Sequence, residues 1–168
     1  MNSIAFRRLG LCCVGLALIV EQVEGQPFHQ AITRRIIDRL GLKHTRSLAP
    51  KSLVADIATA HPSKPEEAEA EFHFSTPFGA GNIVGTAEDL VLFWHALLNG
   101  RLVKPKTVQG MFERLYPMFG QPLHYGRGVM LYDVPKPDGG SEIWLGHSGG
   151  SPGIKAIVAY AHEAQAFV

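Results

Sequence analysis

Apolar residues fall into helix-spaced stretches in the first two thirds of the chain and into strand-like runs in the last third. From Leu9 to Val20 the residues are almost all apolar, preceded by Arg7-Arg8 and followed by Gly25. Phe28, Ile32, Ile36 and Leu40 then recur every four residues, with Arg34, Arg35, Asp38 and Arg39 mostly on the wet side. That spacing predicts one amphipathic helix, with Pro27 in its first turn and Gly41 as its stop. Leu42 to Ala60 is mixed, with weak helical signals around Val54 to Ala58. His61 to Glu71 is polar, holds Pro62 and Pro65, and reads as a surface loop or ragged helix. Its glutamates have no His at ligand spacing, so they make no metal site.

Phe78 to Gly85 is glycine-rich, but no G-K-[ST] follows, which removes a phosphate loop. Thr86 starts the next helix, with Asp89 standing where a capping box usually has Glu or Gln. Leu90, Phe93, Trp94, Leu97 and Leu98 form its apolar face, His95 lies off that face, and Gly100 ends it. A short helix, Thr107 to Leu115, is expected after Pro105. The remainder reads as β: Gly126 to Val134, a turn from Pro135 to Gly140, Glu142 to His147, and Lys155 to Tyr160. Three strands in sequence predict an antiparallel meander. Ala161 to Ala164 is a turn, and Gln165 to Val168 is a strand just begun.

Composition narrows the picture. Apolar residues make up 46% and charged residues 18%, which fits a folded domain rather than a disordered chain. The formal net charge is +1 and no basic stripe carries interleaved aromatics, so nucleic acid is not an expected partner. Cys12 and Cys13 are adjacent, at about 3.8 Å between Cα atoms, too close for an unstrained mutual bridge. No apolar run reaches the ~18 residues of a membrane span. Residues 1–25 carry two readings: a signal peptide, from the basic pair and apolar run, or a first core helix stopped by Gly25.

Candidate chemistry gathers in Gly146-His147-Ser148-Gly149-Gly150-Ser151-Pro152-Gly153, a glycine-dense stretch with a His and a Ser side by side. It satisfies G-x-S-x-G, and a nucleophile elbow would make Ser148 an esterase nucleophile. An elbow needs a helix after the Ser. Pro152, Gly153 and a β-branched run follow instead, and after Ser148 only His162 and Glu163 are left as triad partners, nearly adjacent and in the wrong order.

The same stretch resembles the third motif of the serine β-lactamase and penicillin-binding-protein superfamily. The closest branch is that of class C β-lactamases, D-Ala-D-Ala carboxypeptidases and related esterases, where the triplet is often His-x-Gly. Four other stretches resemble the family in order. These are the run from Ile19 to Phe28, the glycine turn and helix start from Gly79 to Leu90, the helix end Leu97-Leu98-Asn99-Gly100, and Tyr125-Gly126-Arg127-Gly128. The resemblance implies an α/β fold of the α+β kind, an antiparallel sheet flanked by helices. It implies hydrolysis of an amide or ester acyl group, on a β-lactam, a D-Ala peptide or a small ester. No cofactor and no metal are implied. With the signal-like N-terminus it implies a periplasmic or secreted protein.

Carried over by position, His147 and Ser148 become donors to the substrate carboxylate or carbonyl. Gly149 keeps the strand open to the ligand, and the Gly150 N–H becomes half of the oxyanion hole. Against this stand a packed histidine and a strand-end hydroxyl. No Ser-x-x-Lys occurs, and no Tyr-x-Asn, so neither nucleophile nor base is present. The expectation is a partial domain covering residues 15–168, without an acyl-enzyme and with apolar sheet surface prone to aggregation. Three alternatives remain: a non-catalytic binding module keeping the groove, the Ser148 esterase, or a truncated gene product without function.

Overall fold

The computed structural model describes residues 3–49, 52, 56–61, 78–118, 120, 122–151 and 153–168. They divide into two compact units, Met1–Thr59 with Ala68–Asp89, and Ala60–Glu67 with Leu90–Val168.

The first unit opens with helix α1, Ser3–Glu24, so the apolar run from Leu9 to Val20 is helical. None of the described helices is long and apolar enough to cross a membrane. Glu21 Oε1 accepts the Phe28 N–H (2.7 Å), which gives a free amide at the start of the next helix a partner. Glu24 pairs with Arg34 and Arg35. The expected single helix from Phe28 to Leu40 is interrupted. It runs as α2, Phe28–Ile32, a π-helical turn, Thr33–Ile37, and α3, Asp38–Leu40. Ala31 and Ile37 are its buried residues, at 1% and 6% exposure, whereas Phe28, Ile32, Ile36 and Leu40 are only half-buried. A π turn takes up an extra residue, so the inward stripe moves off strict four-residue spacing. Gly41 ends the helix as expected, left-handed at φ 64°.

Three features tie this unit together, and each uses residues far apart in sequence. Gly79, at φ 68°, lies so near α1 that a Cβ there would sit 2.5 Å from Ala17 Cβ. A two-stranded antiparallel sheet, β1 (Arg46–Ser47) with β2 (Ile83–Val84), was not expected from the sequence. Buried Asn82 clips it by donating to Leu48 O (3.1 Å) and Ser47 Oγ (3.3 Å). Thr86 Oγ1 accepts the Asp89 N–H (3.3 Å), the first half of a capping box. The Asp89 carboxylate, 4% exposed, makes a different second half. It accepts the His44 N–H and the Thr45 hydroxyl, both at 2.8 Å.

Helix α4, Ala87–Leu98, carries the chain into the second unit, where α5, Pro105–Met111, follows. Pro105 starts α5 in its first turn, and the helix ends at Met111 rather than Leu115. Then comes a six-stranded meander whose spatial order equals its chain order: β3 (Tyr116–Pro117), β4 (Leu123–Tyr125), β5 (Met130–Pro135), β6 (Ser141–Ser151), β7 (Ile154–Ala161) and β8 (Ala166–Phe167). Every neighbouring pair is antiparallel. Trp94 and Leu97 from α4 pack with Val129, just before β5, and Val158 of β7 to form the core. Leu90, expected on that face, is 36% exposed, and Ala96 is buried instead.

The strand expected from Gly126 begins at Met130, because 126–129 is the β4–β5 turn. Gly126 N–H donates to Val129 O (2.8 Å) and Gly128 takes φ 75°. The strand expected to end at His147 continues to Ser151. Asp56 and Ile57 form a bend, while 53–55 and most of the polar stretch 61–71 fall outside the described residues.

Candidate substrate-binding site

All four residues singled out on sequence lie on β6. Its register to β7 is continuous: Gly146 faces Ala159, His147 Val158, Ser148 Ile157, Gly149 Ala156 and Gly150 Lys155. At Gly146 the two backbones approach so closely that a Cβ would overlap Val158 O and lie 2.7 Å from Ala159 Cα. At Gly149 a Cβ would meet nothing within 4 Å. One glycine is therefore needed for strand contact, and the other leaves bare backbone beside His147.

The direction of the backbone N–H groups follows from the ladder. Ala159 exchanges both of its hydrogen bonds with Val168 (3.0 and 2.8 Å), so it faces β8. Bonded and non-bonded pairs alternate along an antiparallel ladder. His147 and Gly149 therefore bond to β7, while Ser148 and Gly150 turn their N–H groups the other way. Ser148 N–H meets Met130 Sδ of β5 at 3.4 Å, as that parity requires. Met130 is the first residue of β5 and pairs with Gly146. Gly150, four residues further along β6, aims its N–H past the end of β5, and the residue is exposed. Ser151 and Ile154 close the hairpin as a bonded pair, with Gly153 at φ 74° supplying the positive φ that such a tight connection needs.

Successive side chains of a strand project in opposite directions, and His147 and Ser148 take different partners. His147 Nε2 lies 3.2 Å from the Tyr125 hydroxyl, with the rings edge to face at 5.6 Å between centroids. Burial pushes the His147 pKa below its ordinary value, against a hydrogen bond to the Ser148 backbone that favours the charged ring. Ser148 Oγ lies 3.5 Å from Met130 Sδ, and the Tyr132 hydroxyl donates to the same sulfur at 3.2 Å. Burial raises the Tyr132 pKa above 10.0, against a hydrogen bond from Ser148.

The elbow reading of Ser148 is contradicted by this geometry. Ser148 sits inside an unbroken strand, β6 is followed by β7 rather than a helix, and its hydroxyl is turned to Met130 and Tyr132 instead of His147. Among the described residues, the partners of this hydroxyl are Met130 and Tyr132, neither of which is a general base. Among the described residues no group of His, Cys, Asp and Glu is arranged to hold a metal. Tyr125, Met130, Tyr132 and Lys155 border the motif and were not picked out from sequence. Tyr125 stood within a quoted stretch, but only the strand register brings it to His147.

The inner strand β6 thus carries close-packed and open glycines, a hydroxyl and an outward N–H at its exposed end, in a sheet with helix α4 packed against it. The Beta-lactamase family profile matches residues 13–168, and the chain belongs to that family. It is similar to D-amino acid amidase from Ochrobactrum anthropi SV3, at 26% identity and TM-score 0.75, covering 90% of this chain and 45% of that one. It shares the fold of a D-stereospecific amidohydrolase from Streptomyces sp. (23% identity, TM-score 0.72, 90% and 45% covered). The same holds for a penicillin-binding protein from Bacillus halodurans (22%, 0.68, 90% and 47%). The chain thus spans less than half the length of these three structures. No protein of curated function matches it.

Proposed function

We propose that this chain carries the substrate-binding, oxyanion side of a β-lactamase-like serine hydrolase and performs no acyl transfer by itself. The parent reaction is hydrolysis of an amide or ester acyl group, on a β-lactam, a D-Ala peptide, a D-amino acid amide or a small ester. The observation that carries this reading is the β6 margin. The Gly150 N–H leaves the ladder at an exposed edge, beside the bare backbone of Gly149 and the Ser148 hydroxyl. Preorganised donors at such an edge stabilise the developing oxyanion of an acyl group. Lys155, the register partner of Gly150, adds an exposed cation near it.

The absence of turnover is supported by the missing Ser-x-x-Lys and Tyr-x-Asn and by the surroundings of Ser148. Electrostatic stabilisation without a nucleophile and base does not build an acyl-enzyme. Intact mass after incubation with a reactive penicillin, and separately with a fluorophosphonate, tests this. No adduct is expected with either reagent, and an adduct mapped to Ser148 would restore the esterase reading.

A further inference from the structure

We propose that Met130 is a positioning residue of this site: its thioether stands in for a missing ladder partner of Ser148, closing the Ser148 N–H so that the Gly150 N–H is the donor left to a ligand oxygen. The proposal rests on reading β6 as the ligand-facing strand. The β5–β6 ladder ends with Met130 opposite Gly146. Continuing that register would set Gly128 opposite Ser148, but Gly128 lies in the β4–β5 turn at φ 75°, and its N–H donates to Gly126 O (3.2 Å). The Ser148 N–H, turned to the β5 side by strand parity, therefore points past the last paired residue of β5. An amide left there without an acceptor would be costly. The Met130 side chain fills the place, and its Sδ accepts the Ser148 N–H at 3.4 Å.

Two further donors converge on the same sulfur. The Tyr132 hydroxyl donates to it at 3.2 Å and the Ser148 hydroxyl at 3.5 Å. Register explains the convergence. Tyr132 lies two residues along β5 from Met130, and Ser148 two residues beyond Gly146 on β6, so the three side chains share one face of the sheet. Met130 itself is buried. A thioether is a weak acceptor, and a carbonyl or carboxylate oxygen is a stronger one. A ligand can therefore draw the Ser148 hydroxyl away by rotation of one side-chain bond, while the Ser148 N–H, fixed in the backbone, stays with the sulfur. Met130 thus separates the two donors of Ser148, leaving the hydroxyl available and the amide closed. It touches no reacting atom and works only through Ser148.

The test is residue-resolved amide hydrogen exchange of the full chain in the wild type, Met130→Leu and Met130→Gln. Leu keeps the volume and removes the acceptor, and Gln returns an oxygen at similar reach. In the wild type the Ser148 amide, measured against its free-peptide rate, should be better protected than that of Gly150. Met130→Leu should quicken Ser148 exchange about fivefold beyond any change at Val158 and Tyr160, and Met130→Gln should restore the protection. Wild-type Ser148 no better protected than Gly150 would overturn the proposal, and that comparison decides even if neither variant folds. So would a folded Met130→Leu chain in which Ser148 quickens no more than Val158 and Tyr160, as a packing role alone would give. The readout needs no ligand, so it separates from the functional reading. An unprotected Ser148 amide with intact penicillin binding removes only the role of Met130, and the expected exchange pattern without binding removes only the proposed function.

Discussion

Replacing Gly146 by Ala should damage this molecule far more than the same change three residues later. At Gly146 the new methyl would overlap Val158 O and stand 2.7 Å from Ala159 Cα, where ordinary contact begins at 3.4 Å. Both obstacles are backbone atoms, so no rotamer relieves the clash and β6 must part from β7 by on the order of 1 Å. The pairs on either side, Leu145 with Tyr160 and His147 with Val158, are the hydrogen-bonded ones. Overpacking costs about 1–3 kcal/mol, and weakening the two flanking ladder pairs adds about 1 kcal/mol each. The sum, about 3–5 kcal/mol, raises the unfolding constant roughly a hundred- to a few-thousand-fold.

Gly149→Ala is the control. Its methyl meets nothing within 4 Å, and losing the glycine's backbone freedom stabilises a strand by about 0.5–1 kcal/mol. Urea unfolding followed by tryptophan fluorescence gives both values, and amide exchange at Val158 and Tyr160 locates the damage. Equal midpoints for the two variants, within about 0.5 kcal/mol, would refute the close approach of β6 and β7.

Asp89→Ala should cost about 2–4 kcal/mol in urea unfolding, because two donors at a buried carboxylate lose their acceptor. Asp89→Asn, which keeps an oxygen there, should cost less. Burial depresses the His147 pKa below 6.5, so on acidification the unfolded chain takes up the proton first. The contribution of His147 is therefore present above pH 6.5 and lost as pH falls through its folded pKa, and His147→Gln should flatten that acid limb of the urea midpoint. In an ultraviolet titration Tyr132 should ionise above pH 10.0, and Ser148→Ala should move it higher still by removing the hydrogen bond that opposes burial. A lower value in Ser148→Ala would break the proposed contact.

β5, β6 and β7 were legible because their signals are local, whereas the short β3 and β4 were not expected. Short apolar runs bounded by Pro and Gly gave the three longer strands, and a meander needs no distant pairing to be guessed. The motif on β6 was legible for the same reason, since its glycines, His and Ser are contiguous. The small β1–β2 sheet was not, because Arg46 pairs with Val84 across a long separation and each strand has only two residues. The π turn at Thr33–Ile37 left no mark in a pattern that fits regular helical spacing equally well. Asp89 shows the limit of local chemistry: its position announces a cap, but its carboxylate serves His44 and Thr45. The partners of the motif, Tyr125, Met130 and Tyr132, and the outward turn of the Gly150 N–H, depend on register. Register is set by pairing between strands rather than by any one stretch.

The most direct test of the central claim is an amide titration of the labelled full chain with benzylpenicillin, read at Ser148, Gly149 and Gly150. Saturable shifts confined to that end of β6, with the protein mass unchanged, are the predicted result. Shifts elsewhere, or none at all, would contradict the placement of the ligand-binding edge on β6.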